Sequence, residues 1–115
     1  MDDNQFNKQL EKLKKRIPQE AEMTEENYVR VLTDLLEDSF SIAMNELFPY
    51  KKVLPELLPS RYENWQIRVC QYIHSNAEFL GLMSYEENGI KISFSSDNIP
   101  NSIMNELIPY AGAPN

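Results

Sequence analysis

Cys70 and His74 stand four residues apart in "VCQYIH", a spacing that puts both side chains on one face of a helix. A thiol beside an imidazole is the raw material of a thiolate–imidazole pair, or of half a metal site. A closed zinc site takes four ligands, however, and the chain holds one cysteine and one histidine. Cys70 therefore reads as a small packing residue and His74 as a polar boundary position. The acidic pairs Glu37–Asp38 and Glu86–Glu87 lack the Asp-rich loop of a calcium site and read as solvated charges. Three glycines, Gly81, Gly89 and Gly112, form no phosphate-cradling loop. The expectation is a protein that is not an enzyme and has no cofactor or metal.

The elements that must position these residues are mainly helical. Phe6, Leu10, Leu13 and Ile17 fall at offsets 0, 4, 7 and 11, which predicts a basic amphipathic helix over 4–17 that Pro18 ends. Thr24 is a good N-cap, and Glu25 and Glu26 sit where a helix dipole favours them, so a helix is predicted over 24–47, about 36 Å long at 1.5 Å per residue. Tyr28, Leu32, Leu35, Leu36, Ala43 and Leu47 share one of its faces, and Val31, Phe40 and Ile42 widen the apolar surface. The connector "PYKKVLPELLP" holds three prolines and is expected to be packed, with Val53, Leu54, Leu57 and Leu58 turned inward.

"SRYE" has the form of a capping box in which Ser60 and Glu63 bond each other's backbone amides. It opens a predicted helix over 60–80 with Trp65, Val69, Tyr72, Ile73, Ala77 and Leu80 at helical spacing and Gly81 at its end. In "ENGIKISFSS" a turn at Asn88-Gly89 precedes alternating Ile90, Ile92 and Phe94, which predicts a short strand or extended arm. One strand leaves its backbone unpaired, so a hairpin partner or a neighbouring subunit must complete it. Residues 101–108 read as a short helix stopped by Pro109, and "AGAPN" as a loose tail. The predicted core is Leu32, Leu35, Leu36, Trp65, Val69, Ile73 and Leu80.

A length of 115 residues predicts one domain, with residues 1–17 as an N-terminal helix, 24–80 as a helical core, and 82–115 as arm, short helix and tail. The fold class expected is all-α: a small bundle of two long helices plus shorter N- and C-terminal helices, with a short extended or β arm before the last. The lone cysteine fits a reducing compartment. No apolar run approaches a membrane span, and the opening "MDDNQFNKQLEK" lacks the apolar core of a signal peptide, so the expected setting is cytoplasmic and away from membranes. A net charge of −7 argues against wrapping nucleic acid. Positive charge gathers in Lys8, Lys12, Lys14, Lys15 and Arg16, and negative charge in Glu20, Glu22, Glu25, Glu26, Asp34, Glu37, Asp38 and Glu46. Two solvated helix faces explain this, as does complementary charge between neighbouring copies.

Two stretches are near twins, "MNELFPY" at 44–50 and "MNELIPY" at 104–110. Their flanks differ, "DSFSIA" against "NIPNSI" before and "KKVLPE" against "AGAPN" after. A duplication sustains its similarity beyond seven residues, so the twins read as two helix ends that converged on one solution, a helix former followed by a stopping proline.

The order of segments "LLEDSFSIAMNELFPY", "LPSRYENWQIRVC" and "ENGIKISFSSDNIPNSIMNELIPYAGAP" resembles the head-tail connector proteins of long-tailed bacteriophages, also called adaptor or head-completion proteins. "RYENWQIR" at 61–68 and the stretch from Glu87 to Pro114 carry most of the likeness. The resemblance implies a structural virion protein made in the host cytoplasm. It would join a ring beneath the dodecameric portal after DNA packaging, extend the DNA channel, and dock the next neck, stopper or tail protein. DNA would pass through without sequence-specific binding, and an acidic channel would limit its sticking. On this reading the subunit and portal contacts are expected at Lys14, Lys15, Arg16, Tyr85, Ile90, Ile92, Phe94, Ile103, Leu107, Ile108 and Tyr110. The alternative is a small acidic helical interaction module or regulator outside the virion, separated from a connector by stoichiometry.

Overall fold

The structure, a computed structural model, describes residues 1–87 and 89–110. Its elements are α1 (Asp3–Arg16), α2 (Glu25–Leu47), a 3₁₀ turn (Ser60–Tyr62), α3 (Glu63–Asn76), β1 (Met83–Glu86), β2 (Gly89–Ile92), a second 3₁₀ turn (Ser96–Asn98) and α4 (Asn101–Met104). The molecule is elongated, with extents of 49 × 30 × 23 Å. It is mostly helical with a two-stranded sheet. One helix, α2, is long, and α3 is no longer than α1.

α1 starts where Asp2 accepts a hydrogen bond from the Gln5 amide, and it ends with Ile17 before Pro18. Leu10, Leu13 and Ile17 of the predicted stripe are buried, while Phe6 is half-buried. α2 opens as expected, Thr24 accepting from the Asn27 amide. Its buried face runs from Tyr28 through Leu32, Leu35 and Leu36 to Ala43 and Leu47. The Tyr28 hydroxyl donates to the Ile17 carbonyl at 2.5 Å, fastening the end of α1 beside the start of α2. At the other end Met1, Asp3 and Phe6 lie beside Glu37 and Phe40, so α1 and α2 run antiparallel.

The capping box at Ser60 does not form: Ser60 opens a 3₁₀ turn, and α3 starts behind Tyr62 with no side-chain cap. Glu63 is instead drawn into contacts with α1, because a buried carboxylate there gains a lysine and a glutamine, which outbids one exposed backbone amide. Regular helix stops at Asn76, short of the predicted 80. One further turn follows, and it closes with Leu82 N–H on the Ala77 carbonyl and Gly81 N–H on the Glu78 carbonyl. Gly81, at φ +70°, supplies the left-handed residue that this reversal needs.

The extended arm finds its partner within the chain. β2 pairs antiparallel with β1, matching Met83 to Ile92 and Tyr85 to Ile90. Asn88 of the predicted turn lies outside the described residues. Gly89, at φ +127°, lies so close to α2 that a Cβ there would meet the Asn27 side chain at 2.8 Å. The hairpin tip is thus packed at the α2 N-terminal end. Beyond it the Phe94 amide donates to Asp38, and Ile99 is buried.

The predicted core residues Leu32, Leu35, Leu36, Trp65, Val69 and Ile73 are all buried, and only Leu80 is half-exposed. The connector is a correction. Leu58 is buried, but Val53 is 84% exposed, Leu57 47% and Leu54 37%. Three prolines remove the hydrogen bonds and helical periodicity that would have turned these residues toward the core. The C-terminal helix is also shorter than predicted: α4 ends at Met104, and single turns carry the chain to Leu107. The tail 111–115 lies outside the described residues.

Candidate interaction surface

The Cys70 thiol is fully buried and contacts the Ser39 hydroxyl at 3.5 Å. Burial pushes it up to about 12, so it supplies no thiolate at neutral pH. Burial also lowers the His74 imidazole, although Glu20 opposes this. No hydrogen bond joins Cys70 to His74 among the described residues, and no three metal-ligating side chains there converge.

The buried polar chemistry lies elsewhere, in a clasp between α1 and α3. Gln5 donates to the Leu58 carbonyl at 2.8 Å and to Glu63 at 3.2 Å, and its own oxygen accepts from the Leu58 amide at 3.0 Å. Gln9 donates to the Glu63 carbonyl and to Gln66 Oε1, and Gln66 passes its amide on to the Leu36 carbonyl and the Ser39 hydroxyl. Lys8 closes the clasp on Glu63 at 2.8 Å. Burial works to raise the Glu63 carboxyl, but the hydrogen bonds from Lys8 and Gln5 outweigh it and hold the group below the ordinary glutamate range. These glutamines sit on the buried face of α1, which the apolar pattern alone does not reveal. The clasp is structural, with every donor aimed at this chain's own groups.

A different kind of surface forms where the C-terminal segment crosses the body. The Trp65 indole N–H donates to the Ile103 carbonyl at 3.0 Å, Arg68 forks onto Glu106, and Leu107 is buried. The Ile108 amide donates to the Tyr62 hydroxyl at 3.3 Å, and the Tyr110 amide to the Leu47 carbonyl at 2.9 Å. The Tyr110 and Phe48 rings then stack at 4.9 Å with only 2° between their planes, and Arg61 lies 5.4 Å from the Tyr110 centroid. Lys51 covers Phe48 at 5.1 Å. The twin motifs thus meet end to end in space.

Around this stack the apolar surface is uncovered. Among the described residues, eight large hydrophobic side chains are exposed, and six of them (Tyr50, Val53, Leu54, Leu57, Ile108 and Tyr110) belong to the connector and to the chain end docked beside it. Single exposed hydrophobics are ordinary; six within the connector and the segment that docks on its start make this the candidate interaction surface. The remaining two, Phe79 and Tyr85, are near the hairpin.

The residues expected to meet neighbours separate accordingly. Tyr85, Ile108 and Tyr110 are exposed, and Ile90 and Ile103 half-buried. Ile92, Phe94 and Leu107 face this chain's own core, since the hairpin and the C-terminal segment 99–110, here called the strap, close on α2 and α3 instead of projecting outward. Lys15 and Arg16 are exposed, whereas Lys14 is partly covered and lies 3.7 Å from Glu11. The basic turn of α1 adjoins the acidic start of α2 through Tyr28, so these two charge blocks share one end of the molecule. Sequence reasoning missed Val53, Leu54 and Leu57 as surface residues. Their signal was an apolar run between prolines with no period to bury it.

No family model, no curated protein and no solved structure matches this chain.

Proposed function

We propose that the chain is a head-tail connector subunit of a tailed bacteriophage, one copy in a many-copy ring beneath the portal. The ring extends the DNA channel and docks the next neck or tail protein. Besides the resemblance of "RYENWQIR" and the C-terminal segment to that family, the observation that carries this is the exposed apolar end formed by the connector and residues 108–110. A protein whose buried polar clasp is spent on its own groups and whose leucine, valine and tyrosine are uncovered is built to be covered by protein. A net charge of −7 keeps DNA sliding past such a ring without adhering.

Gradient co-sedimentation with the portal ring tests the proposal. The expected result is a fast particle with near-equal copies of the two chains. A chain that stays at the top of the gradient at every salt concentration overturns it, and a one-to-one complex with some other single protein supports the regulator reading.

A further inference from the structure

The exposed apolar side chains sit at two ends of α2, and the charged residues next to them in sequence differ in sign, with the basic turn of α1 and Arg30 also standing at the hairpin end. At the C-terminal end are Tyr50, Val53, Leu54, Leu57, Ile108 and Tyr110, with Lys51, Lys52 and Arg61 against Glu46 and Glu56. At the N-terminal end, where Gly89 packs on Asn27, the hairpin presents Tyr85 beside Glu86 and Glu87, and the turn before it presents Phe79, 89% exposed, beside Glu78. Glu20 and Glu22 line the hollow next to Gly89 and Ile90. Asn27 and Phe48 are 21 residues apart along α2, which separates the two ends by about 32 Å.

We infer that the connector end of one copy receives the hairpin end of the next. The occupant of the apolar patch is a second copy of this chain, seated through Phe79 and Tyr85 and steered by Glu78, Glu86 and Glu87 onto Lys51, Lys52 and Arg61. Two unlike patches at opposite ends make a heterologous contact, which closes into a ring or runs on as a filament, and never a two-fold dimer. An acidic chain repels its own copies over most of its surface, so a lysine-bearing connector with uncovered apolar side chains is a face that an acidic, aromatic-tipped one can approach, whereas the basic turn of α1 offers charge without that apolar cover. The assignment rests on the ring reading above and specifies the surfaces that build the ring.

The test is charge reversal with rescue on the full chain. The variants are K51E/K52E, E86K/E87K and all four changes together, read by sedimentation velocity of the free protein and by copies per particle in the presence of the portal. All four positions are exposed, so thermal melts are expected to match the parent and exclude misfolding. Each pair alone should weaken self-association at least about tenfold, and the combination should restore it to within about threefold. A V53C/Y85C variant should in addition give intermolecular disulfide ladders, with V53C or Y85C alone giving none beyond dimers. Unchanged association in both reversals overturns the inference. So does loss of portal co-sedimentation by K51E/K52E with the copy-to-copy contact intact; that result assigns the patch to the portal and leaves the connector proposal standing. If the parent chain forms no many-copy particle with or without portal, both fall together.

Discussion

"MNELFPY" and "MNELIPY" differ in one residue of seven, yet the first ends a 23-residue helix and the second a helix of four residues. Met44 and Leu47 are fully buried between α2 and its neighbours, while Met104 is only half-buried and Leu107 alone reaches the core from its turn. Phe48 is half-buried where Ile108 is 62% exposed. The local code is therefore a stop signal and nothing more. How much helix precedes the stop depends on what lies upstream: α2 has a cap and five turns of apolar face, whereas Pro100 allows α4 a single turn. The two stops then meet, Tyr110 on Phe48, and together close the end of the molecule.

The largest separation between the twins should come from truncating their leucines. Leu47→Ala opens a cavity in the main core and is expected to cost about 3 kcal/mol. Leu107→Ala removes a strap anchor that can partly collapse, so about 2 kcal/mol is expected; denaturant melts check both, and equal losses would say that the strap is as deeply integrated as α2. Tyr110→Ala breaks the ring stack and should cost about 1 kcal/mol while leaving the α2 melt cooperative.

Trp65→Phe removes the indole donor to the Ile103 carbonyl, with a loss of about 1 kcal/mol, and hydrogen exchange should rise in 101–108 but not in 44–50. A comparable rise in both segments would show that the strap also holds the α2 end. The Arg68–Glu106 pair gives the smallest effect. The hydrogen bond from Arg68 holds the Glu106 carboxyl below its ordinary value, against a weaker opposing effect of burial. A lowered carboxyl stabilises the fold above its unfolded value and loses that contribution as pH falls through the folded one. Strap exchange should therefore quicken below the ordinary glutamate value of 4.5, and Glu106→Gln should flatten that dependence. Both partners are substantially exposed, so the effect stays below about 1 kcal/mol.

The first two helices were legible to within a residue because each writes its own signal. Thr24 before two glutamates, leucines at 3.6-residue spacing, and prolines at 18, 49 and 109 act within a turn or two of chain, and no distant contact is needed to interpret them. Where the pattern was ambiguous, tertiary competition decided. Glu63 left its expected place in a capping box because Lys8 and Gln5, over fifty residues away, offered a better-satisfied position. Gln5 and Gln9 are polar by composition and core by location, a pairing that only α3 could create.

Exposure at the candidate site was legible only in part. Of the residues expected to contact neighbours, Tyr85, Ile108 and Tyr110 are exposed, whereas Ile92, Phe94 and Leu107 turned inward once the hairpin folded back on α2. Strand alternation says which residues share a face, and it does not say whether that face meets this chain or another. The sequence by itself determined the bounds of α1 and α2, the central apolar stripe and the second strand. The tertiary structure decided the hairpin's docking, the polar clasp, the meeting of the twin motifs and the outward turn of Val53, Leu54 and Leu57. The physical reason is range: caps, periodicity and proline act over a few residues, while burial and pairing depend on which distant groups compete for the same space.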